Sequence, residues 1–189
     1  MATRYFRLLE DLHVPERWYL DTPLDLNGQD AGSRLFMQGV PVVVAEPLEV
    51  SLFRGGRPLD FSLADSGAVP VVHPKVASVF STLAPMDVQL FRVEVEGQTE
   101  RYSLVNVTRQ VRCIDDSASE RVLYWKPEDG RPDKTGKYRN VVGMRIDKER
   151  VGDAKVFRPW GWTIALVVSE DIKVALEQTG ATGLKFMEV

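Results

Sequence analysis

Apolar and polar positions along this chain alternate with a period of two more often than they recur with the 3.6-residue period of a helix. Phe91, Val93 and Val95 alternate with Arg92, Glu94 and Glu96, the pattern of a strand with one face in water. After Gly97-Gln98 the run at 102–114 carries Val105, Val107, Val111 and Cys113 on one parity. The two runs predict a hairpin, with Arg109 interrupting the apolar face of its second arm. Further strands are predicted at residues 5–9, 18–20, 42–44, 50–53, 122–125, 141–146 and 163–168, with a closing strand near 182–186.

Two stretches read as helices instead. Val76, Val79, Phe80 and Leu83 recur at i, i+3, i+4 and i+7, an apolar stripe on one face. Pro74 suits the first helical position, where its missing N–H costs nothing, and Pro85 stops the element. In the second helix Ser169 is expected to cap the free N–H groups, while Glu170 and Asp171 meet the positive end of the dipole. Ile172, Ala175 and Leu176 would form its buried face, and Gly180 would end it in a left-handed conformation. Many strands and two principal helices, at about 74–84 and 170–179, without strict strand–helix alternation, predict an α+β fold. The expectation is a mainly antiparallel sheet within one domain spanning 1–189.

The 14 glycines and 11 prolines are spread as punctuation, and no block of them marks a linker. Turns or loops are predicted at 27–33, 54–58, 96–98 and 127–137. The last, Pro127-Glu-Asp-Gly-Arg-Pro-Asp-Lys-Thr-Gly-Lys137, is the longest polar stretch and a candidate functional loop beside the simpler reading of a solvated connection.

Composition sets bounds on this picture. A chain of 189 residues, 44% hydrophobic and 27% charged, can build a core without disulfides or metal. Its net charge of −3 offers no electrostatic footprint for nucleic acid, although it is compatible with a basic partner. The single cysteine, Cys113, excludes an intramolecular disulfide and fits a reducing compartment. The charged N-terminal stretch lacks the apolar core of a secretory signal. The longest apolar runs, 40–45 and 164–168, fall far short of a membrane helix, so a cytoplasmic location is expected.

The chemical inventory is thin. His13 and His73 are the only histidines and stand outside any metal-ligand spacing, and Cys113 has no CxxC partner. Asp115-Asp116 and Glu128-Asp129 lack the spacing of a calcium loop and read first as solvated acidic pairs. A thiol mechanism would need Cys113 as nucleophile and His73 as base, yet Cys113 falls on the apolar parity of its strand. Neither a GxSxG elbow nor a phosphate-binding glycine loop occurs. No cofactor is implied, and the chain reads as a binding protein more readily than as an enzyme.

The aromatic turn Arg158-Pro-Trp160-Gly-Trp162 stands apart. Trp160 and Trp162 share a parity, so both rings can lie on one face while Gly161 leaves backbone room. They either plug one end of the core or anchor a partner, since Trp and Arg are favoured hot-spot residues. Trp125, which leads into the polar loop, carries the same two readings.

Several segments taken in order carry a family resemblance. They are Arg4-Tyr-Phe-Arg7, His13-Val-Pro-Glu-Arg-Trp-Tyr-Leu20, Arg57-Pro-Leu-Asp-Phe-Ser62 and Pro70-Val-Val-His-Pro-Lys-Val-Ala-Ser-Val79. Later come Arg112-Cys-Ile-Asp-Asp116, Tyr124-Trp-Lys-Pro127, Gly152-Asp-Ala-Lys-Val-Phe-Arg158, Val168-Ser-Glu-Asp-Ile-Lys173 and Thr182-Gly-Leu-Lys-Phe186. Together they resemble the eleventh-numbered immunity-protein family of bacterial polymorphic toxin systems, abundant in myxobacteria, over nearly the whole chain. The resemblance implies an α+β domain that neutralises a cognate toxin, encoded by an adjacent gene, by binding it without turnover. It carries no established catalytic or binding residues.

The leading expectation is therefore a cytoplasmic immunity protein that binds its toxin directly. Asp115, Asp116, Trp125, Glu128, Asp129, Trp160 and Trp162 are its candidate partner contacts. The alternative is a ligand-binding or regulatory module with a Trp-lined pocket. A cysteine-dependent enzyme ranks last.

Overall fold

The computed structural model describes residues 3–31 and 34–189. Gly32 and Ser33, part of the predicted turn at 27–33, and Met1 and Ala2 of the N-terminal stretch lie outside the described residues. In chain order the strands and helices are β1 (Tyr5–Glu10), β2 (Tyr19–Leu20), β3 (Leu48–Val50), β4 (Leu52–Arg54), β5 (Phe61–Ala64), β6 (Val69–Val72), α1 (Pro74–Leu83), β7 (Val88–Val95) and β8 (Tyr102–Val107). There follow β9 (Gln110–Val111), β10 (Arg121–Tyr124), β11 (Tyr138–Val142), β12 (Val156–Pro159), β13 (Val167–Ser169), α2 (Glu170–Gln178) and β14 (Leu184–Glu188).

Two five-stranded sheets form, ordered β14-β1-β13-β12-β9 and β3-β7-β8-β6-β5, with the small ribbons β10-β11 and β2-β4 beside them. Pairing is antiparallel except at β12–β9 and β3–β7. The fold is α+β and mainly antiparallel, as expected, but built from two sheets.

The sheets and helices share one apolar cluster. Phe6, Leu8, Val156 and Val168 come from the first sheet, Phe61, Val72, Val105 and Val107 from the second. Val76 and Phe80 of α1 and Ile172 and Leu176 of α2 complete it. The reverse faces feed two further cores. Leu104, Val93 and Val71 pack with Trp18 and Phe36, whereas Phe157 and Val167 pack with Cys113, Met144 and Ile146. Inner strands are thus apolar on both sides, and each large side chain so buried contributes about 1.5–3 kcal/mol. Trp18 is fully buried and its indole N–H donates to Ser62 Oγ at 2.8 Å.

Both helices fall where the apolar spacing puts them. His73 Nδ1 accepts the Lys75 N–H at 3.3 Å as the N-cap of α1, and Pro74 occupies its first turn. Gly180, at φ 63°, follows α2. The expected Ser169 cap does not form, because its hydroxyl donates to the Asp171 carboxylate instead of accepting a backbone N–H.

Several predicted strands change. Residues 42–44 form no strand: the Gln89 side-chain amide accepts the Val42 N–H at 2.9 Å and donates to the Val42 carbonyl at 3.2 Å, taking the place of a neighbouring strand. The predicted 50–53 strand splits between β3 and β4, which pair in different sheets. The 102–114 run ends at Val107, after which β9 crosses to pair in parallel with β12. Gly143, at φ 55°, ends β11, and beyond it Ile146 makes a single bridge to Ile114. The 163–168 strand begins only at Val167, since Thr163 and Ile164 form a turn. Strands β5, β6 and β12 went unpredicted.

A polar knot ties the C-terminal segment to the second sheet. The Asp60 carboxylate accepts the Thr182 N–H at 2.7 Å and its hydroxyl at 2.8 Å, and Lys75 Nζ lies at 2.9 Å. Burial pushes the Asp60 carboxyl up, but the Thr182 and Lys75 donors outweigh it and hold it below the ordinary carboxylate value. A depressed folded value means stability that is present above the unfolded value and is lost as pH falls through the folded one. Asp60→Asn is therefore expected to cost about 1–3 kcal/mol at neutral pH and to flatten the acid limb of the stability profile. Chemical denaturation across pH 3–7 checks both; a parallel loss at every pH would refute the ionic origin.

Candidate functional site

The β10-β11 ribbon and the aromatic turn after β12 meet through the backbone. The Tyr138 N–H donates to the Gly161 carbonyl at 3.1 Å, and the Trp160 N–H donates to Val111 at 2.8 Å. Gly161 sits at φ 77°, and a Cβ there would stand 3.1 Å from the Tyr138 ring. Glycine is required at this position by both the left-handed backbone and the close ring. The ribbon's base is pinned by Asp115 N–H to Arg145 carbonyl at 2.9 Å and Asp147 N–H to Cys113 carbonyl at 2.7 Å.

This junction opens a groove of about 940 Å³ lined by Trp125, Trp160 and Trp162. All three indoles are half-buried, so the two sequence readings both hold in part: each ring packs and each faces the groove. Trp162 also packs against the core beneath the first sheet, and its N–H is buried without a hydrogen-bond partner. The Arg112 guanidinium lies 4.0 Å above the Trp160 ring, and Arg139 and Lys134 stand 5.0 and 5.2 Å from Trp125. Contacts of this kind between cations and indole faces hold the rings in place.

The groove is cationic. Arg34, Arg131, Lys134, Lys137 and Arg139 line it against a single acid, Asp133. Arg131 is partly neutralised by Asp133 at 3.2 Å and Arg139 by Asp129 at 3.1 Å. The loop at 127–137 is a knit cap on the ribbon: Trp125 N–H donates to the Lys137 carbonyl at 2.9 Å, and Gly136 N–H returns to Trp125 at 3.0 Å.

A second depression of about 520 Å³ adjoins the first and shares Tyr138 and Trp160 with it. Asp115, Asp116 and Asp147 line it with Arg112 and Arg150. Asp116 accepts hydrogen bonds from both Tyr124 and Tyr138, the latter at 2.7 Å, and the two rings lie 4.7 Å apart. Burial first, then the hydrogen bonds to Tyr124 and Asp116, raise the Tyr138 phenol well above its ordinary value. Both phenols stay protonated and donate inward.

The predicted contacts thus separate into groups. Trp125, Trp160 and Trp162 converge on the groove, and Asp115 and Asp116 reach its neighbour. Asp115 is occupied locally, accepting the Ser117 hydroxyl at 2.6 Å and the Ser117 and Ala118 N–H groups at 3.0 Å, which lower its carboxyl. Asp129 caps the 127–129 turn by accepting the Lys126 N–H at 2.8 Å, and Glu128 is exposed. Sequence reasoning missed Arg112, Tyr138 and Arg139. Their spacing carries no mark of the site, although Tyr138 and Arg139 begin a strand whose partner ends at Tyr124, just before Trp125.

Cys113 is fully buried, and burial pushes its thiol up to about 12, so it stays un-ionised at neutral pH. His73 belongs to a different region, with Nε2 3.4 Å from Glu100 and its ring 5.7 Å from Tyr102. The supposed thiol–imidazole pair does not assemble. No cluster of three or more His, Cys, Asp or Glu side chains suited to a metal occurs among the described residues, and no helix there is long and apolar enough to cross a membrane.

Comparison with curated proteins gives no match. Comparison with protein-family models matches residues 10–189 to the immunity protein family (Imm11), in keeping with the resemblance carried by the sequence segments. With nearly the whole chain so matched, this protein belongs to the Imm11 immunity protein family.

Proposed function

We propose that this protein neutralises a cognate bacterial toxin by direct, non-catalytic binding in the cytoplasm, and that an adjacent gene encodes the toxin. The observation that carries this reading is the family match over residues 10–189. The chain is taken to act as one unit, supported by the apolar cluster to which both sheets and both helices contribute.

The two adjoining depressions are the proposed docking face, with Trp125, Trp160 and Trp162 as apolar anchors, Asp115 and Asp116 in the second depression, and Glu128 and Asp129 contributing from the 127–137 loop. Trp125 and Trp160, half-exposed and stacked under cations, are ordered before binding, so little side-chain freedom is lost on contact. An interface of about 800 Å² per partner would cover both depressions.

Co-expression with the product of the neighbouring toxin gene tests the proposal. Survival of the cells and co-purification of a stable complex are expected. Unprotected cells and no complex would reject it. A second reading, a module for an anionic ligand, is favoured by the three indoles and the cationic lining of the groove. It predicts small-molecule binding in the absence of any toxin.

A further inference from the structure

Beneath the aromatic turn, a small cavity of about 100 Å³ is lined by Arg7 and Arg158 together with Leu63, Ala68, Ile164 and Leu166. Arg158 is 1% exposed, inside a strand whose four residues are all buried. Its Nη1 donates to the Thr163 carbonyl at 2.7 Å and its Nη2 to the Ala68 carbonyl at 3.4 Å, while Nε has no partner. The Arg7 Nε is likewise buried without a hydrogen bond. No carboxylate among the described residues forms an ion pair with either guanidinium, and no acid lines the cavity.

We propose that this cavity is a binding site for one small oxyanion, held between Arg7 and Arg158. The fold itself supplies the contrast. Its other buried arginine, Arg17, likewise has a buried Nε without a partner, but it has a carboxylate of this chain, Glu10, at 2.6 Å. A charge buried as deeply as that of Arg158 without a counter-charge is strongly disfavoured, and carbonyl dipoles offset this only in part.

Deprotonation offers no escape. Burial lowers Arg158 to about 10 and also lowers Arg7, so both remain charged at neutral pH. Burial is the only influence on either, which fits two cations with no acid nearby. Around the fully buried Arg158 guanidinium, attraction to an anion is stronger than in open water. The volume corresponds to about three water molecules, enough for phosphate, sulfate or a single carboxylate and too small for a nucleotide. Planar guanidinium forks match the oxygen geometry of such groups.

The cavity shares Ile164 with the tryptophan groove, yet the proposal stands apart from the toxin reading and can fail without it. The test uses the full chain alone. Phosphate, sulfate and acetate are titrated against chloride at matched ionic strength, followed by thermal unfolding and, for phosphate, by ³¹P line broadening. A saturable rise in melting temperature is expected, with the preferred anion separating tetrahedral from carboxylate chemistry. Arg7→Met removes one guanidinium that makes no hydrogen bond of its own, so the fold should persist while apparent affinity drops about tenfold or more. Without added anion that variant should be at least as stable as the parent. No distinction from chloride, or a response unchanged in Arg7→Met, would overturn the site.

Discussion

Replacing Trp160 with alanine is expected to weaken toxin binding by roughly 30-fold to several hundred-fold, about 2–4 kcal/mol, and to abolish protection at low expression. Trp160 is the indole common to both depressions, with Arg112 on its face and Tyr138 also lining both. Removing it would empty the centre of the proposed interface, where truncations cost most. Phe53 provides the control, an aromatic side chain 77% exposed that lines neither depression. Phe53→Ala should change binding little. Titration calorimetry against an inactivated toxin measures both. A folded Trp160→Ala protein that binds like the parent would move the interface elsewhere.

The largest expected effect on stability belongs to Gly183. It sits at φ 88°, and a Cβ would lie 2.2 Å from the Phe61 carbonyl oxygen and 3.2 Å from Leu59. Neither contact can yield cheaply. The flanking Thr182 carbonyl accepts the Phe61 N–H at 3.1 Å, and Gly183 itself accepts the Asp11 N–H at 2.8 Å. Gly183→Ala should cost about 3 kcal/mol or more and lower the melting temperature by roughly 6–12 °C. Gly180→Ala isolates the backbone term. Gly180 has a similar φ of 63° with nothing within 4 Å of its would-be Cβ, so it should lose only about 1–2 kcal/mol. Equal losses at the two positions would mean that the close approach to β5 contributes nothing.

Where burial is one-sided, the sequence discloses the fold. The α1 stripe and the alternation of Phe91, Val93 and Val95 each have a wet face, and both elements form as read. Strands β6 and β12 are buried throughout and contain Pro70 and Pro159, so no alternation marks them. The turn before β6 was legible in principle, since Asp65, Ser66 and Gly67 all take positive φ and short polar residues tolerate it. Parity also persists across a change of sheet. Val107 and Val111 share it, yet they enter different cores because periodicity records burial and not the neighbour.

The candidate site is partly legible in the sequence. Trp160-Gly161-Trp162 stands out by its aromatic content, but its position against Tyr138 depends on a ribbon about twenty residues earlier in the chain. Net charge was misleading at this scale. A chain of −3 conceals a groove lined by five cations and one acid, because net charge does not record how the charges are grouped in space. Arg158 looked like part of an aromatic turn, and nothing in its neighbours revealed that it would be buried without a carboxylate.

The distribution of the four tryptophans gives the molecule a built-in optical reporter. Trp18 is sealed in the core with its N–H on Ser62, so its emission is a constant, blue-shifted background. The other three indoles border the groove, and any occupant that displaces water there will shift their fluorescence maximum together. Occupation can therefore be followed by intrinsic emission, without a label and without replacing any side chain.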